Sequence, residues 1–132
     1  MAASGLRGSV FLTDGQQRKT LAAVRSLARN GVEPFVGEVT ALNPSMFSRH
    51  CRGRLVYPSP LARPQDWAES SAGYIRRNGI ECIFPMDDRC LALVSEHRGE
   101  FEPFCSVPLP PHDVVDTCLD KAKTIKIARQ AG

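Results

Sequence analysis

Ser9-Val10-Phe11-Leu12-Thr13 is an apolar run of strand character that breaks at Asp14-Gly15 and passes directly into a helical pattern ending at Asn30-Gly31. A second strand-like run, Val32 to Val39, follows at once. Two strands bridged by a helix of this length pair in parallel, and the crossover buries the first strand inside a sheet. Few folds accept such a unit. In open parallel sheets ligands collect at the C-terminal ends of the strands, which places Thr13, Asp14 and Gly15 where a site is expected.

The bridging helix is read over Gln16 to Asn30, with Leu21, Val24, Leu27 and Ala28 forming one apolar stripe at three- and four-residue spacing. Arg25 and Arg29 suit its C-terminal dipole, and Gly31 suits a left-handed cap. Ala41 to Gly53 reads as a turn and an irregular stretch, and Leu55-Val56-Tyr57 as a short third strand stopped by Pro58-Ser59-Pro60. Pro64 opens a helix running to about Asn78, anchored by Trp67, Tyr74 and Ile75, with Gly79 as its cap. Ile80 to Phe84 is a fourth strand, and the turn Pro85-Met86-Asp87-Asp88 supplies an acidic cap to a helix over Arg89 to Glu96. Cys105-Ser106-Val107 is a fifth strand, left through the stiff run Pro108-Leu109-Pro110-Pro111. Helical segments over Asp113 to Leu119 and Lys121 to Gln130 end the chain, joined at Asp120-Lys121. The expected fold is α/β: a Rossmann-like open parallel sheet of about five strands flanked by helices, spanning residues 1 to 111. Residues 112 to 132 read as the helical start of a further domain, because no closing strand follows them.

A chain of 132 residues with 42% hydrophobic and 23% charged residues can bury a core of its own, so disorder and fibrous classes are excluded. No apolar run is long enough to cross a bilayer, and Met1 to Arg7 lacks the apolar centre of a signal peptide, which points to the cytoplasm. The net charge of +3 gives little reason to expect nucleic acid. Arg49, His50, Arg52 and Arg54 cluster locally, but with only Phe47 and Tyr57 nearby they read as a solvated loop. Five cysteines, Cys51, Cys82, Cys90, Cys105 and Cys118, form no Cys-x-x-Cys pair and have no histidine at metal spacing, so no metal site is expected. His50 and Cys51 are adjacent on an extended segment and point to opposite sides, which rules out direct proton sharing. Trp67, Phe101 and Phe104 are candidates for a homodimer contact, although core packing is the simpler use of each.

Neither Gly-x-Gly-x-x-Gly nor Gly-x-x-x-x-Gly-Lys-[Ser/Thr] occurs, which removes the main support for a dinucleotide or P-loop site. The turn Thr13 to Arg18 lies over a helix N-terminus, where free N–H groups suit an anion, but the Asp14 carboxylate opposes one and reads first as a helix cap. Asp14, Asp87 and Asp88 after strand ends resemble the acidic pocket of a phospho-receiver domain. The positions where a receiver needs an Asp and a Lys read Tyr57-Pro58-Ser59 and Val107-Pro108-Leu109, so that reading fails.

Taken in order, Val10-Phe11-Leu12-Thr13-Asp14-Gly15, Arg25-Ser26-Leu27-Ala28-Arg29-Asn30-Gly31, Ser48-Arg49-His50-Cys51, Tyr57-Pro58-Ser59-Pro60, Ile83-Phe84-Pro85-Met86-Asp87-Asp88 and Asp120-Lys121 match a known pattern over nearly the whole chain. It resembles the N-terminal (pre-ATP-grasp) domain of ATP-grasp carboxylate-amine ligases of the carbamoyl-phosphate-synthase-like type. The resemblance implies an enzyme that uses ATP and magnesium to activate a small carboxylate as an acyl phosphate, which an amine substrate then attacks. It makes Thr13, Asp14, Gly15, Arg18 and Asp87 substrate-side candidates. Lys121 would open the ATP-grasp domain and reach the ATP phosphates, as a mobile ammonium can. The phosphate loop, the adenine strand and the magnesium ligands of that domain would follow Gly132, so this chain alone is expected not to catalyse and to bind no cofactor. The competing expectation is a free-standing Rossmann-like module that binds a small ligand or a protein through its last two helices.

Overall fold

The computed structural model describes residues 8 to 132; the reading of Met1 to Arg7 as lacking a signal peptide lies outside them. Its elements run β1 (Ser9–Leu12), α1 (Arg18–Arg29), β2 (Glu33–Glu38), α2 (Pro44–Phe47), β3 (Gly53–Val56), α3 (Pro64–Asn78), β4 (Cys82–Phe84), α4 (Asp88–Glu96), α5 (Arg98–Phe101), α6 (His112–Leu119) and α7 (Lys121–Ala131). The fold is α/β. Among the described residues one sheet has the order β3-β2-β1-β4, and every pairing is parallel. β1 is therefore central, with Phe11 paired to Phe35 on one side and Ile83 on the other.

Alternation along β1 divides the core into two layers. Val10 and Leu12 face α1 and α2, where Val24, Val32, Val36 and Met46 close the smaller cluster. Phe11 points the other way, into a larger cluster with Tyr57, Trp67, Ile75, Ile83 and Phe101 beneath α3, α4 and α5. Trp67 and Phe101 are fully buried, as core packing requires, whereas Phe104 is 45% exposed and lies under the Arg76 guanidinium, 5.7 Å from the ring centroid. Pro64 starts α3, and Gly79 ends it in the left-handed conformation at φ 60°. No described helix is long and apolar enough to cross a membrane.

The expected fifth strand shrinks to a single parallel bridge between Ser106 and Cys82. Ser106 donates to the Glu81 carbonyl at 2.8 Å and accepts from Ile83 N–H at 3.2 Å. The next donor a parallel ladder needs is two residues on, at Pro108, which has no N–H. Pairing stops there, and Leu109 N–H turns back to the Val107 carbonyl at 2.8 Å. Arg98 then straps the exit by donating to the carbonyls of Leu109 and Pro110. His112 Nδ1 meets Ser95 Oγ at 2.7 Å, and buried Val115 completes the seat of α6. α7 differs: all of its side chains are exposed, including Ile125 and Ile127.

Candidate functional site

The C-terminal edge of the sheet gathers side chains from four separate crossings: Thr13 and Asp14 after β1, Glu38 at the end of β2, Tyr57 after β3, and Asp87 after β4. Asp14 is the only described non-glycine residue with positive φ, at 62°. That conformation costs a residue with a Cβ, and Asp tolerates it better than most. It turns the carboxyl group inward, so Asp14 is 8% exposed.

This corrects the reading of Asp14 as a helix cap. α1 begins two residues later than expected, with Gln17 as N-cap and no side chain capping it. Asp14 serves the helix through its backbone carbonyl, which accepts from Gln17 N–H at 3.0 Å and from Thr20 Oγ1 at 2.8 Å. Its carboxylate instead accepts from the Thr13 hydroxyl and, at 3.6 Å, from the Cys90 thiol. Its own N–H donates to Tyr57 Oη at 3.1 Å.

Thr13 is fully buried and links two loops, because its Oγ1 also accepts from Met86 N–H at 2.8 Å. Gly15 is required by space: a Cβ there would stand 2.5 Å from Asn43 Oδ1 and 2.9 Å from Val36 Cγ1. Asn43 holds its place by capping α2, accepting from Met46 N–H at 2.9 Å. Of the two acidic residues expected to cap α4, Asp87 is the cap and accepts from Cys90 N–H at 2.8 Å, while Asp88 begins the helix. That bond fixes the first turn of α4 and so delivers the Cys90 thiol to Asp14. Glu38 accepts from Gln16 N–H at 3.2 Å on the β2 side of this cluster.

Burial, with smaller contributions from the Asp87 and Glu38 charges, pushes the Asp14 carboxyl up to about 6, despite the opposing hydrogen bonds from Thr13 and Cys90. Burial, with the Asp14 and Asp87 charges close by, pushes the Cys90 thiol up, so it stays protonated and is a poor nucleophile. Burial, with Cys90 and Asp14 close by, raises the Tyr57 phenol as well. Asp14 therefore exchanges its proton at about pH 6.

Arg18 and Lys121 are not drawn into this cluster. Arg18 opens α1 with an exposed side chain, and Lys121 opens α7, also exposed. Leu119, the last residue of α6, shares a shallow cavity of about 300 Å³ with Asp88, Arg89 and Ala92. Asp14, Asp87 and Cys90 each offer a donor atom within 4.8 Å of the others. The set does not suit magnesium, which takes oxygen ligands in near-octahedral geometry, whereas one of these three is a protonated thiol. Sequence reasoning missed Cys90, Tyr57, Glu38 and Asn43. Cys90 was the most accessible of them, standing three residues after the capping Asp87, at the position whose N–H a cap receives.

No known protein-family model matches the chain, and no curated protein matches it.

Proposed function

We propose that this chain forms the N-terminal, substrate-side domain of an ATP-dependent carboxylate-amine ligase, the class its motifs resemble. The observation that carries the reading is the convergence of Asp14, Glu38 and Asp87 at the C-terminal edge of a parallel sheet, with no cationic side chain paired to any of them among the described residues. An acidic crevice of this kind suits an amine. An ammonium entering it meets the desolvated carboxylate of Asp14, with Glu38 and Asp87 close by. The ammonium must lose a proton before its nitrogen can attack an acyl phosphate, and Asp14, with a carboxyl group that titrates near 6, is suited to receive it; the second proton, lost as the amide bond forms and the phosphate bond breaks, leaves on the departing phosphate.

ATP and magnesium belong, in this reading, to an ATP-grasp domain following Gly132, with Lys121 directed at the phosphates. Two observations support a division of labour. This chain has no glycine-rich phosphate loop, and α7 carries Lys121 beside Ile125 and Ile127, which nothing described covers. A cytoplasmic location fits both the ATP requirement and five cysteines without a disulfide among them.

The test is a coupled assay of ADP release by the polypeptide encoded by the whole reading frame, supplied with pooled carboxylates and amines. ADP release that needs one member of each pool supports the reading. A reading frame that stops at Gly132, or nucleotide turnover indifferent to both pools, overturns it.

A further inference from the structure

Outside the acidic crevice, one face of α4 lines a separate groove. Arg89, Ala92, Leu93 and Glu96 fall at i, i+3, i+4 and i+7, one stripe along the helix, and face the loop residues Pro60 and Leu61 and Pro64 at the start of α3. The groove encloses about 380 Å³, within the range of small-molecule sites. Its floor is buried Leu93, and its far wall exposes Leu61 at 69%. The ends are charged and opposite. Neither Arg89 nor Glu96 forms an ion pair among the described residues, and seven residues of helix separate their backbones by about 10 Å.

The helix dipole has the same polarity as these two side chains: its positive end lies at Arg89 and its negative end at Glu96. The neighbouring charges leave that polarity in place. Asp87 is turned to Cys90 N–H, Asp88 lines the depression on the other side of Arg89 with Leu119, and His97 Nδ1 lies 3.7 Å from Glu100. A ligand complementary to the groove carries an anion at one end, a cation at the other and an apolar body between them.

We propose that this groove binds a zwitterionic amino carboxylate of about dipeptide size, its carboxylate on Arg89, its ammonium at Glu96 and its apolar side chains against Leu61 and Leu93. The site is independent of the ligase reading, since it lies within this chain and needs no nucleotide.

The test is an amide-resolved NMR titration of the 132-residue chain with alanyl-leucine, N-acetyl-alanyl-leucine and alanyl-leucinamide. Alanyl-leucine is expected to shift the amides of Leu61, Ala92 and Leu93. Removing either ligand charge, or introducing Arg89→Gln or Glu96→Gln, is expected to weaken binding about tenfold or more, the loss of one charge-assisted hydrogen bond. Arg89→Lys, which keeps the charge and loses the planar fork, should fall between wild type and Arg89→Gln. Both residues are exposed, and a dispersed spectrum of each variant verifies folding. No shifts at about 10 mM alanyl-leucine, a ligand weaker than this range of useful affinities, overturn the proposal. So does equal binding of the blocked dipeptides, or shifts centred on Thr13 and Met86 instead.

Discussion

Asp14 carries a cost that the fold retains. Its carboxyl titrates at about 6 when folded and near 3.8 when unfolded, so the folded protein holds this proton more tightly between those values. Stability from this group is therefore greatest below about 4, falls as pH rises towards 6, and the penalty persists above it. Asp14→Asn keeps a residue that tolerates positive φ and removes the charge. It is expected to raise stability at pH 8 by roughly 1 to 2 kcal/mol, allowing for partial solvation, with the gain fading by pH 4. Thermal melts at the two pH values check this, and a gain independent of pH would contradict it. Gly15→Ala should destabilise by roughly 1 to 3 kcal/mol, because Asn43 and Val36 must both give way. Denaturant titration measures that loss. The position of Asp14 in the crevice was legible from strand-turn-helix punctuation, but its orientation was not. A capping preference describes a residue beside a helix, while here a positive φ and long-range partners, Tyr57 and Cys90, decide where the carboxyl points.

At the scale of elements, the long periodic segments were readable and the short ones were not. α1 and α3 show stripes and glycine caps in the sequence, and each structural helix lies within its expected span. α2 and α5 have four residues each, too few for a helical period to register. The fifth strand illustrates a different limit. Cys105-Ser106-Val107 has strand character, but Pro108 removes the donor that would extend its ladder, and one bridge remains. α7 is tied to α6 by Lys123 Nζ on Asp116 at 2.6 Å and by Thr124 Oγ1 on the Thr117 carbonyl at 3.0 Å, and its start is capped: Asp120 Oδ1 accepts from Ala122 N–H at 2.9 Å and Lys123 N–H at 3.1 Å. Asp120→Ala removes this cap at a cost of about 1 kcal/mol to the helix. Hydrogen exchange should quicken across Ala122 to Ala131 while the main unfolding midpoint stays in place, because α7 buries none of its side chains. A matching drop in that midpoint would show that α7 is integral to the core.

For the whole molecule, the parallel order β3-β2-β1-β4 brings the ends of all four strands to one edge, and that topology collects Asp14, Glu38, Tyr57 and Asp87 from distant parts of the chain. The sequence identified Asp14 and Asp87 because each follows an apolar run at a turn. Tyr57 and Cys90 were not read as site residues, because only the three-dimensional crossing makes them neighbours of Asp14. The proposed function places nucleotide chemistry outside this chain. Calorimetry of the 132-residue chain with Mg-ATP is expected to show no binding tighter than millimolar, and a micromolar Kd would contradict the proposed division between domains. The most direct test of the crevice compares turnover and melting for Asp14→Asn in the polypeptide encoded by the whole reading frame. The proposal requires kcat to fall by about a hundredfold or more, the lower end of a general-base contribution, while the melting temperature holds or rises. Turnover unchanged from wild type would remove Asp14, and with it the substrate-side role of this crevice.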